Sequence, residues 1–152
     1  MDEHNGLRFF YFDVAHAVRE HDWIIEVSGG LPGINNIAYL EGALEHIQND
    51  DYYPDMADKL THLVFSINKN HAFSDGNKRS SIALGAYFLQ LNGYDYVVTR
   101  FVHEMENAAV YVANNVFSKS LLLAIVESLL YEEDYSESLK LGMIAAITQS
   151  NG

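Results

Sequence analysis

There is no cysteine among the 152 residues. That absence excludes a disulfide scaffold, a thiolate zinc site and a Cys nucleophile. A chain of this length does not need such staples, because on folding it hides roughly 70% of the surface its unfolded form exposes. Cations are scarce as well: nine Lys and Arg stand against 21 Asp and Glu, a formal net charge of −12. A sequence-independent grip on nucleic acid comes from neutralising phosphates with Lys and Arg, so DNA and RNA are not expected as partners. Long apolar runs are also missing. No stretch approaches the ~18 residues of a membrane span. The N-terminal MDEHNGLRFFYFDV is acidic where a signal peptide is basic, and its apolar run extends only from Phe9 to Phe12. The expectation is one cytoplasmic domain over residues 1–152, with no membrane partner.

Prolines number only two, Pro32 and Pro54, and most of the chain carries helical periodicity. The composition therefore predicts an all-α fold, with the apolar run at Arg8–Phe12 as a short strand, small hairpin or extended arm. Asp13 can cap a helix through Val27, with Gly29 past its end. Asn36 can cap a second to about Gln48, and Pro54 or Asp55 can open a third to about Lys69. The segment from about Asn77 to Leu91 is apolar on all sides, as expected for a central helix surrounded by others. Further helices are expected at Arg100–Asn114, Lys119–Tyr131 and Ser136–Thr148. No repeat, low-complexity tract or linker divides the chain.

Of the nine cations, three fall within the eleven residues from Lys69 to Arg79. In so acidic a chain this cluster marks a local anion site. The segment NHAFSDGNKRSS feeds a loop into the N-terminus of the central helix. Unpaired backbone N–H groups and the positive end of the helix dipole suit a phosphate there, and Gly76 lets the backbone approach closely. Lys78 and Arg79 add positive charge. His71 is a base able to titrate near neutral pH, and Asp75 offers the hard oxygen that Mg²⁺ prefers. Base, carboxylate, anion nest and two cations within nine residues form a set suited to phosphoryl transfer.

The run His71-Ala72-Phe73-Ser74-Asp75-Gly76-Asn77-Lys78-Arg79 resembles the signature of the Fic/Doc (Fido) family, specifically its death-on-curing (Doc) branch. A second block agrees in order and spacing: His21-Asp22, then Gly29-Gly30-Leu31-Pro32-Gly33-Ile34, then Leu40-Glu41-Gly42-Ala43-Leu44. The resemblance implies a single Fido domain, a compact helical bundle whose signature loop and following helix hold a nucleotide phosphate chain. It implies His71 as the general base toward a target protein's hydroxyl, Asp75 as Mg²⁺ ligand, and Gly76 and Asn77 as the anion nest. Lys78 and Arg79 would contact phosphates, and Phe73 would anchor the loop.

Fic adenylyltransferases have Gly at the Lys78 position and a second Arg at the Ile82 position. Lys78 and the uncharged Ile82 instead match the Doc pattern, in which the nucleotide is held reversed with its γ-phosphate facing the base. The resemblance thus implies a toxin that transfers the γ-phosphate of ATP to a Ser, Thr or Tyr hydroxyl of a translation factor such as elongation factor Tu. AMP transfer is the alternative, and an inactive Fido binding module is a second one. An autoinhibitory Ser/Thr-x-x-x-Glu/Asp-Gly/Asn segment is absent: Glu41-Gly42 has Ile37 in place of the hydroxyl, and Ser128 reaches Glu132 but is followed by Glu133. Restraint would then come from a separate antitoxin protein.

Other candidates read more simply. His103-Glu104-Met105-Glu106-Asn107 lacks the second His of a zinc-protease helix and is expected to be a surface turn of helix. His62 and Ser66 lie one turn apart and are expected at the core or rim. His21-Asp22 can either line the site or make polar contacts beneath the SGGLPG loop. That loop, with Gly29, Gly30 and Gly33, lies too far from a strand–helix unit to be a dinucleotide fingerprint and is expected to make a tight turn beside the site.

Overall fold

A computed structural model describes residues 8–151, which carry seven α-helices. Side-chain caps start most of them. Asp13 accepts the His16 N–H at 2.8 Å to open α1, Val14–Ser28. Asn36 accepts the Ala38 N–H at 3.0 Å to open α2, Ile37–His46, and Asp55 accepts the Asp58 N–H at 3.0 Å to open α3, Met56–Lys69. Such a cap is worth about 1 kcal/mol over alanine. The fourth helix, α4 (Asn77–Leu91), begins differently: Gly76 precedes it in the left-handed region at φ 73°, and no side chain caps it. A 3₁₀ turn at Asp95–Val97 leads into α5 (Val98–Ala113). Ser118 caps α6 (Lys119–Tyr131), and α7 (Glu137–Asn151) closes the described chain.

Of the readings open for residues 8–12, the extended arm is the one that forms, and no strand or hairpin does; the side-chain amide of Asn92 takes the place of a neighbouring strand, its Oδ1 accepting the Phe10 N–H at 2.8 Å and its Nδ2 donating to the Phe10 carbonyl at 3.0 Å. With no second strand beside it, an amide that offers one donor and one acceptor satisfies the exposed backbone. Tyr11 and Phe12 pack on Phe88, with ring centroids 5.9 and 6.4 Å apart. Among the described residues the β contact is a single antiparallel bridge, Ile34 to Phe73.

The most enclosed helix is α3 rather than α4. Eleven of the 14 residues of α3 are buried, against seven of 15 in α4. Polar residues disguise this in the sequence: Lys59, Thr61, His62, Ser66 and Asn68 are all buried on α3. The Lys59 ammonium donates to the Ile47 carbonyl and to Asp50 Oδ1, both at 2.6 Å, and lies over the Phe9 and Tyr11 rings. Asn68 donates to the Val64 carbonyl at 2.9 Å and to Ser81 Oγ at 2.8 Å, tying the end of α3 to the first turn of α4. A Cβ on Gly85 of α4 would come within 2.6 Å of the Phe101 ring. Glycine thus accepts the roughly 1 kcal/mol it costs in a helix interior to let α5 lie close against α4. That close approach carries one acidic residue of α5 to the mouth of the signature loop.

Candidate active site

The site is built where α3 stops and α4 starts. Asn70 ends α3, and the Ala72 N–H turns back to the Ile67 carbonyl at 3.4 Å, the arrangement of a helix closed by a left-handed residue. His71 is that residue, at φ 48°. Glycine is the usual choice there, because a Cβ in this region costs roughly 1–2 kcal/mol. The strained backbone is what turns the His71 side chain outward, and the residue is exposed. The Asn35 side-chain amide donates to the His71 carbonyl at 3.2 Å.

Beyond His71 the loop is locked from inside. Phe73 is fully buried, and its backbone is held at both polar atoms by one side chain: the Phe73 N–H donates to Asn77 Oδ1 and Asn77 Nδ2 donates to the Phe73 carbonyl, each at 2.9 Å. The Asn77 side chain is therefore spent on shaping the loop. His21 on α1 is fully buried, stacked flat on Phe73 with centroids 3.9 Å apart and planes 4° apart. Its Nε2–H donates to the Asp75 carbonyl at 2.7 Å. Of the two readings open for His21, the structure selects polar support beneath the loop.

Asp75 faces the glycine-rich loop. Its Oδ2 accepts the Leu31 N–H at 3.0 Å and its Oδ1 accepts the Gly76 N–H at 2.8 Å. Those two backbone donors hold its carboxyl below the usual carboxylate range, with Arg79 and His21 adding smaller effects in the same direction. Gly30 is obligatory here: at φ 119°, a Cβ would sit 2.7 Å from Asp75 Oδ2 and 3.1 Å from Arg79 Nη2. The loop is stitched to the signature segment by main chain, with the Ser74 N–H on the Gly33 carbonyl at 3.1 Å and the Asn35 N–H on the Ala72 carbonyl at 3.0 Å. Gly29 accepts from Arg79 Nη1 at 3.0 Å, and Ser28 Oγ accepts from the same nitrogen. Gly29, Gly30 and Gly33 thus lie behind the site rather than on the surface of its depression.

The depression itself holds about 540 Å³ and is open to solvent, lined by His71, Ser74 to Arg79, and Glu106. At its floor α4 begins without a side-chain cap. The N–H groups of Asn77, Lys78 and Arg79 have no intrahelical acceptor and point with the positive end of the helix dipole. The Gly76 N–H, by contrast, is taken by Asp75. Lys78 is partly exposed, and its ammonium lies 3.6 Å from Glu106 Oε1. Ile82, one turn further along α4, is buried in the core. The charged groups lining the depression are thus two cations, Lys78 and Arg79, and two carboxylates, Asp75 and Glu106. The sequence placed Glu106 on a surface turn of helix and not at the site, because only the packing of α5 on α4 brings it here.

Asp75 suits a divalent cation by its chemistry. Each carboxylate oxygen accepts one hydrogen bond and keeps a further lone-pair direction, and Mg²⁺ commonly takes one or two protein carboxylates with the remainder from phosphate and water. Among the described residues no cluster of three or more His, Asp or Glu forms a closed metal cage. No helix among them is long and apolar enough to cross a membrane.

A helical bundle that presents a histidine on a strained turn before an uncapped helix N-terminus defines the class. The chain belongs to the Fic/DOC family, whose model matches residues 11–89. A curated relative is Toxin Doc of Mycolicibacterium smegmatis (strain ATCC 700084 / mc(2)155), 36% identical over 69 residues, covering 43% of this chain and 53% of that protein. The chain therefore spans about half the length of the curated relative it matches.

Proposed function

We propose that the protein is a Doc-like, nucleotide-dependent transferase that moves the γ-phosphate of ATP to a hydroxyl of a target protein. The observation that carries this reading is the pairing of an exposed, outward-turned His71 with the uncapped start of α4 on one depression. In-line displacement on phosphorus needs mainly positioning and charge neutralisation. The N–H groups of Asn77, Lys78 and Arg79 and the Lys78 ammonium meet phosphate oxygens. His71 takes the proton of the attacking hydroxyl as the new O–P bond forms at the γ-phosphorus. The bond to the β–γ bridging oxygen breaks, and ADP carries away the leaving electron pair. Asp75 would hold Mg²⁺, which when bound supplies positive charge to the phosphate chain.

Burial of Ile82 supports γ- over α-transfer, because the position where adenylyltransferases of the family place a second arginine contributes no charge to the depression. A translation factor such as elongation factor Tu as target, and a separate antitoxin as restraint, complete this reading; the Toxin Doc relative supports its toxin character. Incubation with γ-labelled and α-labelled ATP and a cell lysate tests it. Label from γ alone is expected, with His71→Ala lowering transfer by about 10²-fold or more. Label from α alone sinks the phosphotransfer reading in favour of AMP transfer. Labelling or growth arrest unaffected by His71→Ala leaves only a binding role.

A further inference from the structure

Glu106 is the one wall of the depression that the signature segment does not supply. It comes from α5 and stands over the phosphate end of the site, its Oε1 3.6 Å from Lys78 Nζ. Its side chain is 57% exposed and that of Lys78 38%, so the pair is wet and easily opened. Arg79 is differently placed, because its Nη1 is engaged by Ser28 Oγ and the Gly29 carbonyl behind the depression. The Lys78 ammonium forms no hydrogen bond among the described residues and is the cation positioned to meet an incoming anion. Glu106 is its counter-ion. Together with Asp75, Glu106 brings the side-chain charge of the lining to zero, two cations against two carboxylates.

A bare polyphosphate entering such a site gains Lys78 but meets the Glu106 carboxylate beside it. A polyphosphate already complexed to a divalent cation presents positive charge to both carboxylates, so the same Glu106 becomes neutral or favourable toward it. We propose that Glu106 is a specificity-determining residue that makes the depression select the divalent-metal complex of a nucleotide over the free nucleotide. The proposal rests on the nucleotide-binding reading of the same site. It adds a residue from outside the signature that strengthens the preference Asp75 already gives.

The test is calorimetric binding of ATP to the full chain, with Mg²⁺ and with excess EDTA, for the native protein, Glu106→Gln and Glu106→Asp. Glu106→Gln should tighten metal-free ATP by about fivefold to tenfold and Mg²⁺–ATP by less than about twofold, shrinking the native discrimination by the ratio of the two. Glu106→Asp, which keeps the charge, should retain most of that discrimination. Equal effects of Glu106→Gln on both forms, no effect on either, or loss of discrimination in Glu106→Asp as well overturns the proposal. Absence of nucleotide binding in every protein overturns it together with the phosphotransfer reading. Normal metal-dependent binding without γ-label transfer overturns the phosphotransfer reading alone. Thermal unfolding of each variant confirms that the fold is unchanged.

Discussion

The two lysines Lys59 and Lys78 occupy opposite extremes of the same molecule. Lys59 is wholly buried, with two hydrogen bonds of 2.6 Å and two aromatic rings around its ammonium. Lys78 is partly exposed, its ammonium with one loose ion partner at 3.6 Å and no hydrogen bond among the described residues. The histidines repeat the contrast. His62 is buried on α3, accepting from the Lys119 ammonium at Nδ1 at 2.7 Å, so that its Nε2–H is left to donate to His46 Nδ1 at 3.2 Å. His71 is exposed and held on a strained backbone. Most polar side chains of α3 are closed on neighbours, the buried Thr61 hydroxyl excepted, whereas the groups at the start of α4 are left open. Saturation marks scaffold, and unsatisfied valence marks the surface meant for a ligand.

Removing Lys59 gives the largest expected effect. Lys59→Ala strands the Ile47 carbonyl and empties the space of a fully buried side chain, leaving the half-exposed Asp50 to water, and should lower stability by about 2–4 kcal/mol, while Lys78→Ala changes it by less than about 0.5 kcal/mol. Urea unfolding measures both, and comparable losses break the contrast. Acidification comes next. Burial, then the Lys119 and His46 charges, lower the His62 pKa from 6.5 to about 4, so the folded protein holds it neutral. The unfolded chain takes up the proton first. The contribution is therefore fully present above pH 6.5 and is lost as pH falls toward 4, on the order of 2 kcal/mol. His62→Phe should flatten that slope in a pH series of melting curves, and an unchanged slope sinks the assignment. The smallest effect has the opposite sign. His71→Gly relieves the left-handed strain and should stabilise by about 1 kcal/mol, raising the melting temperature by about 2–4 °C, while transfer is lost. A destabilised His71→Gly would mean that the turn is not strained.

Much of this was legible in the sequence for local reasons. Caps at Asp13, Asp55 and Ser118 act within their own turn, and so the limits of α1, α3 and α6 fell within a residue or so of expectation, while α4 lies between the local signals of Gly76 and Asn92-Gly93. The His71–Arg79 segment is contiguous, so its meeting on one depression was readable too. What escaped notice depends on distant packing. The arm at Phe10 pairs with Asn92 rather than a strand, the pivotal burial of α3 hides behind polar residues satisfied by remote partners, and Glu106 reaches Lys78 only because Gly85 lets α5 approach. The 3₁₀ turn at Asp95–Val97 carried no apolar period to announce it.

The seam between the glycine-rich loop and the signature segment runs largely through main-chain atoms: Leu31 N–H to Asp75, the Gly33 carbonyl to Ser74, and the Asn35 and Asn36 N–H groups to the Ala72 carbonyl. Backbone links do not read side-chain identity. Leu31 and Ile34 belong to the seam by their main chain, but their side chains remain exposed. The loop therefore has evolutionary latitude: its outward side chains can change while the glycines keep its seating, and the machinery beneath need not change with them.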